Sequence, residues 1–244
     1  MSAENAVIDI RDLEFRWREH DPVVLSLDEI RINKGERVFV EGPSGSGKST
    51  LLSLLAGVTV PERGVVSVLG QELERLSAVK RDHFRANHIG YIFQMFNLIP
   101  YLSIVDNVLL PCRFSHTRKQ RALQRAPSLE AEAERLLSHL DLLSADLLQR
   151  PVTSLSVGQQ QRVAAARALM GSPEVLIADE PTSSLDTDRR EAFIQLLFEE
   201  CAGAGLTLVF VSHDRPLASL FDRTIRLGDL NKAGVAAPED CEQP

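Results

Sequence analysis

Residues 42–50 read GPSGSGKST, which places three glycines, a lysine and two adjacent hydroxyl side chains within nine positions. Glycine at Gly42, Gly45 and Gly47 lets backbone N–H groups converge on an anion with no Cβ in the way, and a helix starting there adds the positive end of its dipole. Pro43, Ser44, Ser46 and Thr50 complete the loop, which fits the phosphate-binding pattern G-x-x-x-x-G-K-[ST] at every fixed position. In that pattern Lys48 reaches the β- and γ-phosphates and the Ser49 hydroxyl ligates Mg²⁺. The loop follows the apolar run Val38-Phe39-Val40 and precedes Leu51-Leu52-Ser53-Leu54-Leu55, the strand, loop and helix context such a site needs. These residues imply a bound nucleoside triphosphate.

A triphosphate site needs a carboxylate partner, and the segment Val175-Leu176-Ile177-Ala178-Asp179-Glu180 is an apolar strand ending in two of them. Asp179 is expected to hold Mg²⁺, directly or through water, and Glu180 to orient and polarise the attacking water. Gln94 follows the strand-like residues 89–93 and is placed to bridge the metal and that water to whatever lies beyond. His213, after Leu208-Val209-Phe210-Val211-Ser212, is placed to touch the γ-phosphate from a neighbouring strand end.

Bulk properties narrow the partners. The chain has 244 residues, 44% hydrophobic and 25% charged, enough for one large domain with an inserted subdomain. A net charge of −7 argues against a general nucleic-acid surface. No apolar run approaches the ~20 residues that span a bilayer, and the first ten residues carry no signal-peptide pattern, so a cytoplasmic location is expected. Cys112, Cys201 and Cys241 are widely spaced, suggesting neither a disulfide framework nor a zinc site.

The elements that must position these groups are legible in outline. Three short β-rich runs, at 38–40, 175–178 and 206–211, read as buried parallel strands separated by helices at 49–55, 157–170 and 188–201. Residues 7–17, 23–32 and 64–69 alternate apolar and polar side chains, which suits half-exposed antiparallel strands. The expected fold is α/β: a P-loop NTPase (RecA-like) core with a parallel sheet, an N-terminal antiparallel β subdomain and an inserted helical subdomain. The core domain is expected over 1–228 and the helical insert over 95–156, with Pro100, Pro111, Pro127 and Pro151 as breakers. A basic cluster at Arg113, Arg118, Lys119, Arg121 and Arg125, facing Glu130, Glu132 and Glu134, reads as a solvated helix face. Residues 229–244 read as a loose polar tail.

The run LSVGQQQR at 155–162 then supplies a resemblance. The chain resembles the ATP-binding cassette (ABC) ATPases, whose signature is LSGGQ, and the motifs stand in that family's order: P-loop, Gln94, signature, Asp179-Glu180, Ser184-Leu185-Asp186 and His213. Val157 stands where the family has its first glycine, while the signature serine and second glycine are present as Ser156 and Gly158, followed by Gln159. The resemblance implies that these contact the γ-phosphate from the opposite subunit of a head-to-tail homodimer holding two ATP molecules, with Asp186 linking the two sites. It also implies an aromatic side chain on adenine, for which Trp17 is the best match and Phe15 the fallback. The partner implied is an integral-membrane permease subunit, docking near residues 95–102, with the ATPase peripheral on the inner face of the membrane. The strings at 89–98, 107–111 and 155–169 look like the lipoprotein-releasing and macrolide-exporting ATPases, implying export or extraction. The alternative is a regulatory ATPase, as in the related cell-division type, that signals through its membrane partner without transport.

Overall fold

The computed structural model describes residues 5–142, 150–183 and 187–233. Asp186, Cys241 and the end of the expected tail lie outside them. Two sheets organise the chain. The first is antiparallel, in the order β2-β1-β4-β5, from β1 (Ala6–Phe15), β2 (Leu25–Asn33), β4 (Arg63–Val68) and β5 (Gln71–Glu72). The second is parallel, in the order β6-β7-β8-β3-β9, from β3 (Arg37–Glu41), β6 (Ile89–Ile92), β7 (Val175–Asp179), β8 (Thr207–Val211) and β9 (Arg223–Arg226).

The interior strands β3, β7 and β8 carry continuous apolar runs because both of their faces are covered. Alternate residues leave β3 in opposite directions. Val38 and Val40 join a core with α1 (Lys48–Leu55) and the antiparallel sheet, while Phe39 joins a second core made of helices. The same division separates Val175 and Ile177 from Leu176 and Ala178 on β7. The helical side contains α3 (Ile104–Phe114), α4 (His116–Arg125), α5 (Leu129–His139), α6 (Val157–Leu169) and α7 (Thr187–Ala204); α2 (Ala78–His88) leads into β6. Phe39, Phe210 and Phe221 pack with ring centroids 5.0–6.1 Å apart at the sheet surface, and Phe198 meets Phe221 edge-on at 5.0 Å. Truncating any one of the buried Phe39, Phe193 or Phe210 to alanine costs about 3–5 kcal/mol.

Three expectations need correction, and one strand was not foreseen. Pro111 does not break a helix: it lies inside α3, which continues to Phe114 because Val108, Leu109 and Cys112 are buried against the helical core. The helix ends at Ser115, whose hydroxyl accepts from the Arg118 N–H and so starts α4. The charged cluster is a solvated face only in part: Arg113, Lys119, Arg125, Glu130 and Glu134 are exposed, but two members are buried. Arg118 is 3% exposed and Glu132 1% exposed, the first donating to backbone carbonyls and the second paired with Arg135 at 2.9 Å. Strand β9 carried no sequence signal beyond Thr224 and Ile225, being a short edge strand with arginine at both ends. Finally, the start of the expected tail is docked. Residues Leu227–Leu230 form the short helix α8, and Asn231 and Lys232 hydrogen-bond to residues at the start of β2.

Candidate nucleotide site

The loop between β3 and α1 takes its shape from two glycines rather than three. Gly45 (φ 81°) and Gly47 (φ 93°) occupy the left-handed region that side chains disfavour, and Gly47 is the N-cap of α1. Gly42 is not in that region; its role is space, since a Cβ there would stand 2.5 Å from Ser46 Oγ. The N-terminus of α1 has no side-chain cap and no acidic residue in its first turn. Its backbone N–H groups are therefore left for an anion, with the helix dipole favouring negative charge. Lys48 bends back across the loop, its Nζ donating to the carbonyls of Gly42 at 2.7 Å and Pro43 at 3.0 Å.

A cleft of about 410 Å³ opens beside this loop, lined by Val24, Ser44, Gly45, Gly47, Lys48, Ser49, Thr50, Gln94, Asp179 and Glu180. Folding thus brings together groups from four separate stretches of sequence. Ser49, Gln94 and Asp179 present a hydroxyl, an amide and a carboxylate, oxygen donors of the kind a hard divalent cation takes when phosphates complete its shell. Burial, then the neighbouring Glu180, pushes the Asp179 carboxyl above its ordinary range, with Lys48 opposing. A bound cation there would favour the charged form.

Glu180 itself sits at φ 47°, an unusual backbone for glutamate, with its N–H donated to the Val211 carbonyl at 2.9 Å. That hydrogen bond ties the end of β7 to the end of β8. The Glu180 carboxylate meets His213 Nδ1 at 2.5 Å. His213 does not line the main cleft: its side chain is 69% exposed and lines an adjoining cavity of about 300 Å³ with Gly42 and Pro43. In this chain it reaches the site through Glu180.

Beyond Gln94, Phe96 (φ 59°) and Asn97 (φ 48°) are consecutive left-handed residues. Arg167 on α6 holds them, donating to the Phe96 carbonyl at 2.5 Å and that of Asn97 at 2.7 Å. Sequence reasoning passed over Arg167 and also Val24, since neither belongs to a motif read for chemistry.

The signature residues stand apart. Ser156 is the N-cap of α6, its hydroxyl accepting from Gln159 N while the Gln159 side chain accepts from Ser156 N, a reciprocal capping box. Val157 begins the helix with ordinary backbone angles and a side chain open to solvent, so valine costs the local backbone no strain. Ser156, Gly158 and Gln159 do not line the cleft of their own chain. Of the two aromatics, Phe15 is 5% exposed and Trp17 is 55% exposed, with ring centroids 5.1 Å apart at 86°. Burial removes the Phe15 face from use. Trp17 is not among the cleft-lining residues, but Val24 is, and its N–H bonds to the Phe15 carbonyl.

The profile of the ABC transporter family matches residues 25–183. The chain belongs to the ABC transporter family. The cassette is 37% identical to the lipoprotein-releasing system ATP-binding protein LolD of Bacteroides thetaiotaomicron, over 84% of this chain and 90% of that protein. It is likewise 37% identical to the macrolide export ATP-binding/permease protein MacB of Rhodopirellula baltica, over 94% of this chain but 32% of that one. Among solved structures, a dimeric post-hydrolysis state of the ATP-binding cassette MJ0796 bound to ADP and Pi matches with a TM-score of 0.75 and 32% identity, covering 91% and 95% of the two chains. The cassette is thus an ABC transporter ATPase with the α/β cassette fold.

Proposed function

We propose that the cassette works as one half of a head-to-tail homodimer that closes on two ATP molecules and drives a separate permease for export or extraction from the membrane. The observation that carries this reading is the division of the site. Lys48, Ser49, Gln94, Asp179 and Glu180 share one cleft, whereas Ser156 and Gly158 cap a helix that does not reach it. A second chain would supply the missing face.

In the closed pair, backbone N–H groups of residues 42–50 and Lys48 hold the phosphates, while Ser156 and Gly158 of the other copy meet the γ-phosphate. Trp17 covers one face of adenine, a role its exposure and its support by Phe15 suit. Ser49, Gln94 and Asp179 would hold Mg²⁺, which neutralises phosphate charge when bound. Glu180 accepts a proton from the attacking water, and His213 steadies that carboxylate through their hydrogen bond. Loss of the γ-phosphate removes contacts that exist only in the closed state, so the pair reopens.

The permease surface is proposed where the groove between α2 and α3 lies, lined by His83, Ala86, Leu110, Pro111 and Phe114, with Met95 and Tyr101 more than four-fifths exposed after Gln94. An amphipathic cytoplasmic helix of the permease suits such a groove. No helix among the described residues is long and apolar enough to cross a membrane, and MacB combines ATP-binding and permease parts in one protein. Both support a cassette held at the cytoplasmic face by its partner.

The shared site can be tested by mixing inactive variants. Lys48→Ala and Ser156→Arg chains should each be inactive, yet an equimolar mixture should recover measurable phosphate release, because one site of each mixed dimer has both wild-type faces. Mixed dimers that form but release no phosphate would reject the arrangement.

A further inference from the structure

The P-loop does not stand on α1 and β3 alone. The chain returns at its C-terminal end to pass directly behind it. Gly228 in α8 lies under Pro43: a Cβ on Gly228 would stand 3.4 Å from Pro43 Cδ, and a Cβ on Gly42 would stand 3.6 Å from the Gly228 nitrogen. Three residues on, Asn231 makes four hydrogen bonds with its side-chain amide. Nδ2 donates to the Ser46 carbonyl at 3.2 Å and to the Val24 carbonyl at 2.9 Å, while Oδ1 accepts from Ser26 N at 2.9 Å and Ala233 N at 3.0 Å. The backbone adds Lys232 N–H to the Ser26 carbonyl at 2.9 Å.

Ser46 lies within the P-loop, and Val24 lines the same cleft directly beside that loop, a Cβ on Gly47 standing 3.4 Å from the Val24 carbonyl oxygen. One amide therefore ties the P-loop to the adjoining segment that shares its cleft. Both carbonyls are tied by the same nitrogen, so neither segment can shift against the other without breaking or bending a hydrogen bond. Asparagine suits the place because it alone among short side chains offers two donors and an acceptor with two lone pairs.

We infer that Asn231 is a positioning residue for nucleotide binding, and that Gly228 and Asn231 form a seat that holds the P-loop in its binding shape before the nucleotide arrives. The inference rests on the ATP-binding reading of the cleft. Pre-organisation of this kind acts on affinity, because the loop need not be ordered at the moment of binding.

The test compares variants in full-length chain, using calorimetric titration with a non-hydrolysable ATP analogue and Mg²⁺, steady-state ATP hydrolysis, and thermal melting. Asn231→Ala should raise the Kd and KM for nucleotide roughly five- to tenfold with kcat within about twofold, because, of the four hydrogen bonds it removes, the two to the Ser46 and Val24 carbonyls act on the cleft. Asn231→Asp, which keeps the acceptor but faces two carbonyls with a carboxylate, should bind more weakly still. Lys232→Ala, which removes only the exposed ion pair with Asp28 at 2.5 Å, should leave Kd unchanged. Gly228→Val, pressing on Pro43 from beneath, should raise Kd as Asn231→Ala does and carries the test if the latter fails to fold. Folded Asn231→Ala or Gly228→Val protein with wild-type Kd would overturn the inference, whatever its melting temperature. Failure of the wild-type chain to bind the analogue would instead reject the nucleotide reading itself.

Discussion

At the scale of single residues, the site rests on a few side chains whose surroundings differ sharply. Glu180 is held in a left-handed backbone conformation with its carboxylate on His213, while Lys48 is parked on loop carbonyls that phosphate would displace. Glu180→Gln should keep nucleotide binding and lower phosphate release by about 10²–10⁴, the span of a positioned general base. Stopped turnover with intact binding is the outcome to look for; undiminished phosphate release would remove Glu180 from its role. Most of these residues were legible in the sequence because fixed chemistry demands fixed types at fixed spacing. Arg167, Arg118 and Asn231 were not. Each acts on backbone carbonyls brought near by folding, and a carbonyl leaves no mark in the sequence.

At the scale of elements, α4 is the fastener between the helical insert and the parallel sheet. Arg118 donates to the carbonyls of Met170 and Ala168 at the end of α6 and of Ile89 at the start of β6. Burial lowers this guanidinium to about 10. Arg118→Met keeps the volume but strands three carbonyls, and should cost about 3–5 kcal/mol in denaturant unfolding. Beside it, Arg121 on α4 meets Glu174 just before β7, with His88 Nδ1 3.2 Å away. Burial alone would push the Glu174 carboxyl up, but hydrogen bonds and charge from His88 and Arg121 hold it down to about 2, from 4.5. That stabilisation is present above about pH 4.5 and is lost as pH falls towards 2. Unfolding of Glu174→Gln should therefore depend less on pH across that interval than wild type, and an unchanged slope would reject the linkage. The long strands and helices were legible from their periodicity. Pro111 misled because a proline reads as a stop, yet the burial of Cys112 beyond it carries α3 one turn further.

At the scale of the whole molecule, the parallel sheet divides the interior into two apolar cores that meet only through its strands. The P-loop helix belongs to one and the signature helix to the other, and Ser156 and Gly158 do not line the cleft that holds Lys48 and Ser49. The division also ranks the molecule by time. Strands β7, β8 and β3 are the three interior strands of the sheet and are buried on both sides, so their amides open only when both cores fail together. Amide hydrogen exchange should be slowest there and fast at Trp17 and Met95, which stand in solvent on loops. Asp179 and the P-loop hang from the slowest strands, and the surfaces proposed to meet adenine and permease from the fastest segments. Under the proposed function, the carboxylates at the end of β7 would keep their places over many turnovers while the surfaces that meet a partner rearrange on every one.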